Sequence, residues 1–201
     1  MQETGLKRNI IDKYYTKNSV VLDCINNFKN NVQLLSSDTI IEPSAGNGAF
    51  INEVKNISNN LGITYKFYDI EPENDEIIKQ DFLNLDIKYN NKNIHIICNP
   101  PFGRQSSIAI KFIKKCCEFA NSISFILPRS FKKDSMKKYF TDYYHLIFEK
   151  DFDNNAFTVN NIEYDVPCIF QIWILKNYKR ELPIKEEPNF FKFVKKMRHL
   201  I

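Results

Sequence analysis

The 201-residue chain has little of what marks most specialised folds. Glycine occurs only five times, which excludes low-complexity and collagen-like chains. The five cysteines form no Cys-x-x-Cys pair, and His95, His145 and His199 do not stand at zinc-ligand spacing from them, so no metal is expected. An odd set of thiols at core-like positions reads as reduced cysteine in an intracellular protein. No apolar run approaches the roughly 18–20 residues of a membrane span, and no signal-peptide pattern opens the chain. There is no Gly-Lys-Ser/Thr and no third glycine at dinucleotide spacing, which weighs against a P-loop and a nicotinamide site. Charge of one sign is barely in excess. The net +4 is compatible with a nucleic-acid partner without demanding one.

What is present is a core and a run of βα signals. Hydrophobic residues make up 43% and aromatics 14%, enough for one ordinary domain with a tail. Val20, Val21, Cys24, Ile25 and Phe28 fall at helical spacing over Lys17–Asn30, with Thr16 or Asn18 as the candidate cap. Thr39–Glu42 reads as a short strand running into Pro43-Ser44-Ala45-Gly46-Asn47-Gly48-Ala49-Phe50, and then a helix through Val54, Ile57 and Leu61. Strand, glycine turn and helix form the front half of a βαβ unit, so the class is α/β. Glu42 is charged where a parallel strand normally stays apolar. A second strand, Ile63–Ile70, ends at Asp69-Ile70-Glu71-Pro72; Asp69 is placed either for ribose hydroxyls or for a turn. Ile78-Lys79-Gln80 leads into Asp81-Phe82, where the same two roles, adenine contact or turn, stand open.

The central stretch is Asn99-Pro100-Pro101-Phe102, which ends the apolar run Ile94–Cys98. Asn99 offers an amide oxygen, the prolines remove competing N–H donors, and Phe102 adds a flat apolar face. Such a turn can hold a planar group bearing an –NH2. Downstream, Ser107–Ala120 reads as a helix whose cysteines are core, and Ser122–Leu127 as an apolar strand. The stretch Phe131–Phe140 is expected to be helical. Arg129 just before it and Lys132 and Lys133 within it are either a solvated face or phosphate contacts. Tyr143–Lys150 and Val166–Leu175 complete a β-rich last third, the latter an interior strand. Phe157 is a candidate clamp for a planar substrate or an aromatic packing at the domain edge. Residues 176–201 read as a tail.

These motifs, in this order over roughly residues 12–175, resemble the S-adenosylmethionine-dependent methyltransferases of exocyclic amines, in particular the N6-adenine family. Glu42–Phe50 is similar to its cofactor loop, Asp69–Pro72 to its ribose-binding strand end, and Asn99–Phe102 to its catalytic motif. The resemblance implies a Rossmann-like fold for residues 1–175: a mostly parallel seven-stranded sheet with an antiparallel last strand and helices on both faces. It implies that Tyr15, Thr16 and the loop Ser44–Gly48 hold the methionine end of the cofactor, with Asp69 and Ile70 at the ribose and Asp81 and Phe82 at the adenine. It also implies that Asn99 and the Pro100 carbonyl accept the two hydrogens of the target amine while Phe102 stacks on its base. Only residues 83–98 separate Phe82 from Asn99, so no target-recognition domain is inserted there. Expected partners are therefore DNA or RNA as substrate, with a second protein as a possible source of recognition. The rival readings are a glutamine side-chain methyltransferase and an inactive partner subunit.

Overall fold

The structure is a computed structural model describing residues 14–87, 93–152, 156–159, 162–164 and 166–181. In chain order its elements are β1 (Tyr15–Thr16), α1 (Asn18–Asn31), β2 (Thr39–Glu42), α2 (Ile51–Leu61), β3 (Thr64–Asp69), β4 (Ile78–Lys79) and β5 (Ile94–Cys98). They continue with α3 (Ser107–Cys116), β6 (Ser122–Pro128), α4 (Asp134–Lys137), β7 (Tyr144–Asp151), β8 (Phe157–Val159), β9 (Ile162–Tyr164) and β10 (Cys168–Leu175).

Successive side chains of a strand point to opposite faces. Here both faces are apolar: Ile40, Ile97, Ile126 and Phe170 join one core, while their neighbours Ile41, Ile96, Phe125 and Ile169 join another. A sheet of this kind must be covered twice. On one side α1 buries Val21, Cys24, Ile25 and Phe28, and α2 buries Ile51, Val54 and Ile57. On the other, α3 buries Ala109, Phe112, Ile113 and Cys116.

The sheet order is β4-β3-β2-β5-β6-β10-β7. The pairs β3–β4, β2–β3, β2–β5 and β5–β6 are parallel, whereas β10 runs antiparallel to both β6 and β7. This is the Rossmann-like arrangement with a reversed last strand. From β2 the chain first steps outward to β3 and β4, then returns to β5 and continues the other way. The switch point therefore lies between the carboxyl ends of β2 and β5, where open α/β sheets bind ligands.

At the opposite ends of these strands Asp38, His95 and Ser122 form a buried chain. His95 Nε2 lies 3.1 Å from Asp38 Oδ2, and Nδ1 lies 2.8 Å from Ser122 Oγ. A carboxylate only accepts, so Nε2 carries the proton and Nδ1 accepts from Ser122. The order mimics a hydrolase triad, but Ser122 is buried and far from the switch point. The chain ties β2, β5 and β6 together.

Several local expectations need correction. Residues 131–140 are not one helix: a 3-10 turn, Arg129–Lys132, is followed by the four-residue α4. Phe131 and Phe140 are wholly buried anchors at either end, and the turn lets both reach the core. Thr16 does not cap α1. It belongs to β1, and Lys17 holds the N-cap position. The polar bend after Phe152 contains β8 and β9, which form a separate three-stranded sheet with β1. The start of the tail is docked: Arg180 donates to the carbonyls of Lys137, Phe140, Thr141 and Tyr144. Residues 1–13 and 182–201 lie outside the described residues.

Candidate active site

Three chain segments converge on the switch point. The first is the loop leaving β2. Gly46 (φ +54°) and Gly48 (φ +86°) take left-handed backbone conformations, which a side chain disfavours. These turns let the Ala45 N–H reach the Tyr68 carbonyl (2.9 Å) and the Gly46 N–H reach Asp69 Oδ2 (2.8 Å). Asp69 also accepts from the Glu71 N–H at 2.8 Å through Oδ1. Asp69 thus shapes the turn after β3 and anchors the glycine loop, and each oxygen keeps a lone pair for a further donor. Asp81 caps the 3-10 turn Phe82–Asn84, accepting from the Leu83 N–H (3.0 Å) and Asn84 Nδ2 (2.6 Å). The buried Phe82 ring stacks on Phe112 at 5.8 Å.

The second segment is Asn99–Phe102. Ser44 Oγ bridges it to the glycine loop, lying 2.9 Å from Cys98 Sγ and donating to the Asn99 carbonyl at 3.3 Å. Among the described residues the Pro100 carbonyl accepts no hydrogen bond, since Pro101 brings no N–H and no other donor reaches it. Asn99 Oδ1 is buried with no partner.

The third segment is β1, which carries Tyr15 and Thr16, the residues that the resemblance sets at the methionine end of the cofactor. It pairs with β8, Thr16 opposite Phe157, and Lys17 N–H donates to the Ala156 carbonyl at 3.2 Å. Tyr15 Oη donates to the Glu73 carboxylate at 2.8–2.9 Å, linking β1 to the turn after β3. That bond joins residues 58 positions apart and left no sequence signal.

Between the segments lies a cleft of about 570 Å³. Tyr15, Thr16, Glu42, Pro43, Ser44, Ala45, Gly46, Asn47, Asp69, Ile70, Asp81, Phe82, Asn99, Pro100, Pro101 and Phe102 all line it. Gly48 does not, and acts only through the turn. Tyr14, Ala49, Phe50, Glu71, Gln80, Leu83, Ile108 and Phe112 also line it; all but Ile108 and Phe112 are chain neighbours of the candidates, and those two are brought in by α3. Glu42 is the most unusual wall. Its carboxyl is 2% exposed, Oε2 has no partner, and burial, then the nearby Asp69 charge, pushes its pKa well above the ordinary carboxylate range.

Besides Gly48, four sequence candidates fall outside the cleft. Phe157 is wholly buried; its ring sits edge-on to Phe102 (6.4 Å) and tilted to Tyr14 (5.9 Å), so it backs the cleft wall and presents no free face to clamp a base. Its neighbours Asn154 and Asn155 lie outside the described residues. Arg129 pairs with Asp151 at 3.2 Å, and Lys132 pairs with both Asp151 and Glu149. These two cations are already matched by acids. Lys133 is exposed, away from the cleft.

Residues 33–164 match the model of the EDM2 methyltransferase-like domain. The chain belongs to this family. No curated protein matches the sequence. Among solved structures, a protein described as a class I S-adenosylmethionine-dependent methyltransferase from Listeria monocytogenes superposes with a TM-score of 0.64 at 13% identity, over 91% of this chain and 66% of that one. A protein described as an RNA methyltransferase from Pyrococcus horikoshii gives 0.62 at 12% identity, over 86% and 92%. The methyltransferase subunit of a type I restriction-modification system from Streptococcus thermophilus gives 0.59 at 14%, over 82% and 45%. These likenesses fix the methyltransferase fold.

The methyl donor of this fold, S-adenosylmethionine, fits the cleft. A buried carboxyl without a partner (Glu42) suits an ammonium group. A strand-end carboxylate with spare lone pairs (Asp69) suits a diol, and the corner walled by Phe82 and Phe112 suits a flat ring. No cluster that could hold a metal ion occurs among the described residues, and none of their helices is long and apolar enough to cross a membrane.

Proposed function

We propose that this methyltransferase acts on an exocyclic amine, N6 of adenine in DNA or RNA. The observation that carries the reading is the pair of unused acceptors at the end of β5. Asn99 Oδ1 is buried without a donor, and the Pro100 carbonyl beside it is equally free among the described residues. A buried acceptor left unpaired costs about 1–3 kcal/mol, which an arriving N–H donor removes. Two acceptors in sequence suit the two hydrogens of one amino group.

Bound S-adenosylmethionine supplies an electrophilic methyl group. Asn99 and Pro100 supply the rest of what the chemistry needs. An aromatic amine is a weak nucleophile because its lone pair is delocalised into the ring. Acceptors on both hydrogens favour a pyramidal nitrogen and direct that lone pair, while fixed dipoles stabilise the positive charge that grows on it. Stacking on Phe102 contributes about 1–3 kcal/mol toward holding the base. Ser44–Asn47 take the methionine end, Asp69 and Ile70 the ribose, and Asp81 and Phe82 the adenine. The neighbours described as an RNA methyltransferase and as a restriction-modification methyltransferase subunit support a nucleic-acid substrate.

Glu42 gives this reading a pH signature. Burial pushes its pKa well above the ordinary carboxylate range, and a cationic amino group beside it favours the ionised form. Cofactor binding is expected to expel a proton and to tighten as pH rises toward the raised Glu42 pKa. Titration calorimetry in buffers of different ionisation heat reads the proton directly. Glu42→Gln is expected to abolish that release; equal release in the variant would remove Glu42 from the cofactor site. The function itself is tested by tritiated-methyl transfer to DNA, RNA and protein pools. Label in nucleic acid supports it, and label confined to protein transfers the assignment to the glutamine reading.

A further inference from the structure

An asparagine amide has two chemically opposite ends of nearly the same shape. Only the oxygen end can accept the hydrogens of an amine, so the catalytic use of Asn99 depends on which way its amide is turned. The answer lies in β1. Asn99 Nδ2 is 3.2 Å from Thr16 Oγ1 and 3.4 Å from the Tyr14 carbonyl oxygen. The carbonyl accepts only, so an amide flipped by 180° would set its oxygen against another oxygen. The Thr16 hydroxyl adapts as acceptor and gives the closer bond.

We propose that Thr16 is a positioning residue: its hydroxyl holds the –NH2 end of Asn99 against β1 and so keeps Oδ1 as the end left to accept the incoming amine. This rests on the reading of Asn99 as the group that receives the target amine, and it differs from the role that the resemblance gives Thr16 at the methionine end of the cofactor. The support for Thr16 is itself fixed. Thr16 pairs with Phe157 across β1–β8, and the Phe157 ring backs Phe102. The Tyr15–Glu73 bond holds the other residue of β1 to the turn after β3. The orientation of one amide is thereby set from a strand 83 residues away in the chain.

Thr16→Val keeps the β-branched shape and removes the hydroxyl; Thr16→Ser keeps the hydroxyl. The valine variant is expected to lose about tenfold in kcat, the cost of one lost hydrogen bond, with cofactor affinity within about twofold of wild type. The serine variant is expected to rescue most of that loss. A second readout needs no activity. In the ligand-free 15N-labelled protein, the Asn99 side-chain –NH2 pair, assigned by its disappearance in Asn99→Ala, is expected to shift and exchange faster with solvent in Thr16→Val but not in Thr16→Ser. Cofactor affinity lost at unchanged kcat would overturn the proposal and return Thr16 to the cofactor. An unmoved –NH2 pair in Thr16→Val would overturn it on structural grounds. Should the wild type methylate no nucleic acid, the function reading fails alone, and the –NH2 signals still decide the role of Thr16.

Discussion

Asn99→Ala is expected to lower methyl transfer by about a hundredfold to a thousandfold while cofactor affinity stays within about twofold, the scale of losing one preorganised polar group aimed at developing charge. The side chain is not part of the glycine loop, and its backbone carbonyl, which accepts from Ser44, survives the substitution. Its own contacts are to Tyr14 and Thr16 through Nδ2, on the side of β1. What alanine removes is Oδ1, the buried acceptor with no internal partner. A buried acceptor that receives no hydrogen bond in the free protein is expected to matter for the reacting partner more than for the fold. Comparing kcat with the cofactor Kd from calorimetry separates the two. Activity within tenfold of wild type would remove Asn99 from the chemistry.

Asp38→Ala is expected to produce the largest loss of stability in the chain, and none of it concerns the cleft. Asp38 is wholly buried. It accepts from the Leu35 N–H at 2.8 Å, Asn93 Nδ2 at 3.0 Å and His95 Nε2 at 3.1 Å. Alanine leaves these donors without their acceptor, at a cost of about 3–4 kcal/mol. For a chain of this length that lowers Tm by roughly 10 °C. The same cluster gives stability a pH dependence. Burial lowers the His95 pKa below its ordinary 6.5, more than the adjacent Asp38 raises it, so the folded state holds the ring neutral. The unfolded chain takes up a proton as pH falls through about 6.5, and this favours unfolding. The His95 contribution is therefore complete above that pH and lost progressively below it. Thermal melts from pH 8 to pH 5 read this directly. A stability profile unchanged by His95→Gln below pH 6.5 would contradict it.

The parts of the site legible in the sequence are those carried by short, contiguous chemistry. Glycines at left-handed turns, acids at strand ends and the Asn-Pro-Pro-Phe turn each sit within a few residues, and the βαβ pattern orders them around the switch point. The central sheet was legible for the same reason, since Ile94–Cys98 and Cys168–Leu175 announce strands covered on both faces. The small sheet was not. Two-residue β1 and three-residue β8 and β9 are too short to show a period of two, and β1 pairs with residues more than a hundred positions away. Missing β1 meant missing what Thr16 holds. The stretch 131–140 misled in another way. Lysines interleaved with aromatics imitate an amphipathic helix, whereas buried Phe131 and Phe140 require a turn, and Lys132 faces acids on β7 that no local pattern reveals.

The measurement closest to the central claim is the chemical identity of the methylated product. After transfer from methyl-labelled S-adenosylmethionine to mixed DNA and RNA, digestion to nucleosides and mass spectrometry are expected to show N6-methyladenine. The signal should be lost in Asn99→Ala. Methyl groups found instead on a ring nitrogen, on a carbon or on ribose oxygen would contradict the acceptor role assigned to Asn99 and Pro100.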